Sequence, residues 1–183
     1  MNRNETAFEA AFRILDTRMG LRPAYMKHIH IYDKPDDMEK QRVIYNAHYA
    51  IMPEHLLNRQ ETWNDMGVHL YTLKEIGALP IETGRLDTIK DAYEALAKDL
   101  LTTTAAKHFL PSAFTYSELQ GVLMTICSDP AITRDQSFAR KIKSLPFIEA
   151  LKGQTTNRHS KKPTQLYCFN DLHVLKPIYT ARY

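Results

Sequence analysis

Two cysteines in 183 residues are too few for a disulfide scaffold, and Cys127 and Cys168 stand at no metal-motif spacing, so both read as buried reduced thiols. The chain has no run approaching the roughly 20 apolar residues that a bilayer span requires. Its N-terminus, MNRNETAFEA, lacks the basic-then-apolar layout of a secretory signal. A cytoplasmic protein without membrane contact is expected. Disordered, collagenous and coiled-coil classes are excluded as well, because 44% apolar and 25% charged residues are the averages of a packed domain.

What is present is a charge asymmetry hidden in a net charge of +3. Residues 1–113, up to a Pro-Ser step at Pro111, hold 14 basic and 16 acidic side chains, whereas residues 114–183 hold 10 basic and 5 acidic. The C-terminal surplus is the electrostatic footprint of a segment that meets a polyanion, although a solvated basic face gives the same count. The order of elements has to decide between them.

Thr115-Tyr-Ser-Glu118 is a capping box, and Leu119, Val122, Leu123 and Ile126 follow at helical spacing until Ser128-Asp129-Pro130. A second box at Thr133 to Gln136 predicts a second helix with Phe138, Ile142 and Leu145 as its apolar stripe. Off that stripe lie Arg134, Ser137, Arg140, Lys141, Lys143 and Ser144, the side chains a helix in a DNA groove has to present. Beyond Pro146, residues 147–151 and 165–169 read as strands. The loop between them, Lys152 to Pro163, carries Lys152, Arg158, Lys161, Lys162 and one His but no acid. Helix, helix and a hairpin with a basic tip is the winged helix-turn-helix order, whose tip suits phosphates or a minor groove. A small α+β packing domain with a solvated loop is the alternative.

A helix over about Thr88 to Lys107, with Ile89, Ala92, Tyr93, Leu96 and Leu100 on one face, is expected to join the halves. Residues 1–21 read as a helix with Asn4 as N-cap, Phe8, Ala11, Phe12 and Leu15 as its stripe, and Gly20 as its stop. Strand-like runs follow at His28 to Tyr32, Arg42 to Met52 and Val68 to Leu73. His28 and His30 alternate onto one strand face, but two His without a third ligand read as sheet surface rather than metal site.

The first helix with its Gly20-Leu21 ending resembles the Nudix box, G-x5-E-x7-R-E-U-x-E-E-x-G-U with U aliphatic. Glu5, Arg13, Leu15, Gly20 and Leu21 match it, whereas Ile14, Thr17 and Arg18 stand at the other Glu positions, and the leading Gly would precede residue 1. Lys34-Pro-Asp, Arg42-Val-Ile and Tyr49-Ala resemble the continuation of Nudix domains acting on ADP-ribose-like compounds. Phe114 to Gln120 and Ser137 to Lys141 resemble the DNA-binding domain of Nudix-related regulators of the NAD-metabolism repressor (NrtR) type.

The resemblance implies an α+β chain: a truncated Nudix-like α/β/α sandwich over residues 1–110, with the linker helix 88–107, followed by a winged helix-turn-helix domain over 111–183. It implies a DNA-binding transcriptional regulator that senses ADP-ribose or a related nucleotide-sugar. Hydrolysis in the family needs a divalent metal held by paired Glu residues. Thr17 and Arg18 supply no such ligand, so no catalytic residue, metal or cofactor is expected. Arg134, Ser137, Arg140, Lys141, Arg158, Lys161 and Lys162 are the expected DNA contacts, and Arg42 the expected effector phosphate contact, with a plain strand-edge Arg as the alternative. A homodimer on double-stranded DNA follows from the two half-sites such regulators read. The absent strands before the box imply a fragment or a shortened natural protein whose sheet another chain would cover. The rival functions are a nucleotide-sugar pyrophosphatase with relocated metal ligands and a remnant that pairs with an intact paralogue.

Overall fold

The computed structural model describes residues 4–36, 41–52, 69–81, 83–159, 161–172 and Tyr179. The chain forms two units, Met1–Ala95 and Leu96–Tyr183, which divide within one long helix rather than at the Pro-Ser step. Among the described residues each is α+β, with one two-stranded sheet. No helix among the described residues is long and apolar enough to cross a membrane.

In the first unit, α1 (Ala7–Met19) starts at Thr6 rather than Asn4, because Thr6 and Glu9 form a complete capping box. Thr6 Oγ1 accepts from the Glu9 amide at 3.2 Å, and the Glu9 carboxylate accepts from the Thr6 amide at 2.7 Å. The later start leaves Phe8 in the first turn, exposed, its ring centroid 5.9 Å from that of His48 in a T-shaped pair. Ala10 takes the buried place expected of Phe8, while Ala11, Phe12 and Leu15 are half-buried. The helix stops at Gly20, as read from the sequence, with φ of 61° in the left-handed region. A Cβ there would meet nothing within 4 Å, so Gly20→Ala carries only backbone strain. It is expected to destabilise the first unit by about 1–2 kcal/mol, read as a lower denaturation midpoint.

Strands β1 (Tyr25–Asp36) and β2 (Gln41–Ile51) pair antiparallel. The register slips by one residue between His28 and His30, so Ile29 forms a bulge. His28 therefore lies opposite His48 while His30 lies opposite Ala47, and the two histidines face opposite sides of the sheet, not the shared face that plain alternation predicts. The ring of α1 residue Phe8 reaches the His48 side. On the other side, the Tyr32 hydroxyl hydrogen-bonds the carboxylate of Asp91, in the long helix α3 (Thr83–Thr102). The hairpin is thus sandwiched between helices. Residues 69–72 are not a strand: Thr72 and Glu75 build a capping box for the one-turn helix α2 (Leu73–Ile76), and that local signal overrides the alternation. Val68 lies outside the described residues.

In the second unit, the end of α3 and a 3-10 turn, Ala105–His108, lead into α4 (Tyr116–Met124), α5 (Pro130–Thr133) and α6 (Asp135–Lys141). A 3-10 turn, Ile142–Ser144, precedes β3 (Ile148–Thr156) and β4 (Thr164–Phe169). The capping box at Thr115 is present as read. The box at Thr133 is not. Asp129 instead caps a separate one-turn helix, accepting from the Ala131 amide at 2.7 Å with Pro130 in the first turn, so Thr133 is that helix's last residue. Two expected helices are therefore three.

Leu119, Leu123, Ile132, Phe138, Ile142 and Phe147 are fully buried and form the centre of one core. Cys127 and Cys168 are free thiols, half-buried rather than buried, and Cys127 packs against this core.

Candidate nucleic-acid interface

The three short helices and the β3–β4 hairpin are held together by a few side chains of the segment Phe114 to Gln120. Phe114 exchanges backbone hydrogen bonds with Tyr167 at 2.9 and 2.7 Å, which fastens the start of α4 to the hairpin. The buried amide of Gln120 donates to the Ile132 carbonyl at 2.7 Å and ties α4 to α5. A buried polar group with a partner fixes one geometry, since leaving it unpaired is costly. Phe138 then turns the apolar side of α6 into the core, which leaves Arg134, Ser137 and Arg140 exposed at its start and outer side. Lys143 and Ser144 are exposed in the following turn. Lys141 differs, being half-buried. Burial lowers its pKa, and the carboxylate of Asp129 opposes that shift.

The hairpin is longer than the sequence suggests, because β3 runs on to Thr156 and confines the tip to residues 157–163. Its pairing is interrupted between Ala150 and Thr155, where Gly153 takes φ of 74°. The Gln165 side-chain amide donates to the carbonyls of Leu151 at 2.7 Å and Gln154 at 3.1 Å, so the interruption leaves those acceptors satisfied. Lys161 and Lys162 are exposed at the tip.

Arg158, expected on a phosphate, is engaged within the domain. Its Nη2 donates to the Ala113 carbonyl at 2.9 Å and to Glu118 Oε2 at 3.2 Å. His159 Nε2 lies 3.1 Å from Glu118 Oε1. Glu118 also closes the capping box, accepting from the Thr115 amide at 2.6 Å. Burial pushes its carboxyl pKa up, but the Thr115 amide and hydroxyl, the Arg158 charge and His159 outweigh it and hold the group below the ordinary carboxylate range. The ionised form is therefore the bound one. Its contribution is complete at neutral pH and is lost only as pH falls through that lowered value. The sequence marks Glu118 as a cap alone; its second role depends on residues 40 and 41 positions away.

In the first unit, Arg42 is exposed and forms a two-pronged ion pair with Asp33 on the neighbouring strand. The acids of the box segment are likewise paired. Glu5 accepts from Arg13 Nε at 2.9 Å and Nη2 at 2.7 Å, Glu9 belongs to the Thr6 cap, and Asp16 accepts from Arg22 at 3.2 Å. Ile14, Thr17 and Arg18 are exposed. The Thr17 hydroxyl donates to the Arg13 carbonyl at 2.7 Å. A divalent metal needs several converging hard oxygen ligands. The donor set here does not fit one, and no group of three metal-binding side chains occurs among the described residues.

A hollow of about 480 Å³ lies between the hairpin and α3, bordered by Tyr32, Tyr45, Ala47, Arg85, Thr88 and Ile89. Arg42 is not among the residues that border it.

Three helices, a two-stranded hairpin and a basic tip in this order define a winged helix domain. Residues 106–169 match the family model of the NrtR DNA-binding winged helix domain. Several solved structures share the fold, two of them from Shewanella oneidensis. The crystal structure of Shewanella oneidensis NrtR complexed with a 27mer DNA is 19% identical, with a TM-score of 0.75 over 95% of this chain and 79% of that one. The crystal structure of Shewanella oneidensis NrtR gives a TM-score of 0.74 at 19% identity over 94% and 79%. The search of curated proteins returned no sequence match.

Proposed function

We propose that this chain is a transcriptional regulator that binds double-stranded DNA through its winged helix and senses a nucleotide-sugar such as ADP-ribose through a Nudix-related first unit without hydrolase activity. The observation that carries the DNA reading is the exposure of Arg134, Ser137 and Arg140 on α6 in a domain matching the NrtR winged helix family. These residues and Lys141 face the major groove, and Lys161 and Lys162 meet backbone phosphate.

The absence of hydrolysis is supported by Ile14, Thr17 and Arg18 at the box positions and by the commitment of Glu5 to Arg13. An effector site is supported by the hollow beside Tyr32, Tyr45 and Arg85, whose volume is that of small-molecule pockets. A homodimer is supported by Ile31 and Ile44, exposed on one face of the hairpin, and sedimentation of the full chain tests it.

The function is tested by titrating the full chain into labelled duplexes, with and without ADP-ribose, and by following ADP-ribose with Mg²⁺ for turnover. Duplex binding that ADP-ribose shifts several-fold, without turnover, is expected. A ligand that binds both states of the protein equally would shift nothing. Turnover that disappears on Glu5→Gln would establish the pyrophosphatase instead.

A further inference from the structure

We infer that Glu118 stands in for a backbone phosphate inside the protein: it holds Arg158 and His159 against the start of α4, so that these two position the wing tip while Lys161 and Lys162 meet DNA. The inference rests on the DNA-binding reading above. Both oxygens of this carboxylate are used, Oε2 by the Thr115 amide and Arg158, and Oε1 by His159. Glu118 is 16% exposed against 43% for Arg158, so the shared charge sits at the inner end of the contact. The guanidinium is held a second time by the Ala113 carbonyl. To reach a phosphate it would surrender both partners. The tie spans 40 residues of sequence and joins α4 to the one segment between β3 and β4, so it sets where that segment stands. A tip held in place before binding leaves less ordering to be done on the DNA.

The test uses the full chain with E118Q, R158A and the double variant. Gln removes the negative charge that holds Arg158 and replaces the oxygen facing His159 with an NH2 group. It preserves the capping box, since its amide oxygen also accepts from the Thr115 amide. Helix content and the thermal transition of E118Q should therefore stay close to the parent's. Trypsin cleavage after Lys161 should quicken several-fold in both single variants, a change that a general structural role would not confine to the tip. Duplex affinity should fall about 10-fold in each, with the slope of log affinity against log salt unchanged, and the double variant should be no worse than either single one.

Three results would overturn the inference. One is a salt slope shallower by about 0.9 in R158A, the mark of a direct phosphate contact. Another is tighter binding with a steeper slope in E118Q, which would make Glu118 a competitor of DNA. The third is unchanged cleavage at the tip. A parent chain that binds no duplex would end the DNA reading, and the wing's part in it, while the cleavage rates still judged the tie itself.

Discussion

Replacing Lys161 and Lys162 with alanine should weaken binding to every duplex alike and make the salt dependence shallower by about 1.8, since each phosphate contact contributes roughly 0.9 to the slope. Arg140→Ala should behave differently. It is exposed on α6, the helix proposed to lie in the major groove, where an arginine reads base edges. Its loss should cost on the order of 10- to 100-fold on the preferred duplex and little on an unrelated one, so the ratio between them collapses. The triple variant should combine the two effects. All three side chains are exposed, so the melting temperature should stay near that of the parent. Equal losses of preferred and unrelated duplex for Arg140→Ala would move it from base reading to backbone contact. Full affinity in the triple variant would remove the interface from this face.

The residues behind that prediction differ in how far the sequence exposes them. The start of α4 is legible because a capping box is a purely local device, and Thr115 and Glu118 satisfy each other within one turn. The box at Thr133 has the same pattern yet fails, because Asp129 and Pro130 begin a helical turn four residues earlier and consume Thr133 as its last residue. Two local signals overlap there, and sequence spacing alone does not rank them. The bulge at Ile29 leaves the alternation of the strand intact while reversing the faces, so His28 and His30 part although the pattern places them together. The tie from Glu118 to Arg158 is the least legible of all. It joins residues 40 positions apart in sequence, and the sequence reading assigns Arg158 to DNA phosphate with Lys161 and Lys162. Patterns read over a few residues survive folding; pairings that depend on where the hairpin lands do not show in the chain.

Phe138→Ala should unfold the winged helix unit at lower temperature and abolish DNA binding together, which separates the scaffold from the contacts it carries. Phe138 is fully buried on the inner side of α6. Its ring lies 6.5 Å from that of Tyr179, which meets Phe147 edge-on at 5.8 Å, and Phe147 in turn stacks near Phe169 of β4 at 6.2 Å. Phe169 continues the series to Phe114 at 5.0 Å, beside the Thr115 cap. Helix α6 and the hairpin are therefore joined by one succession of aromatic rings, and removing its first member leaves a cavity beneath α6. Such a truncation costs about 3–5 kcal/mol, a large share of the roughly 5–15 kcal/mol that holds a domain together. In a unit of this size the melting temperature should fall by about 12 °C or more. Phe138→Leu should recover most of that stability and, with Arg134 and Arg140 again held on the outer side, most of the affinity. Normal stability in Phe138→Ala would show that the rings do not carry the unit. Restored stability without restored binding in Phe138→Leu would mean that the angle of α6, and not only its presence, depends on the aromatic ring.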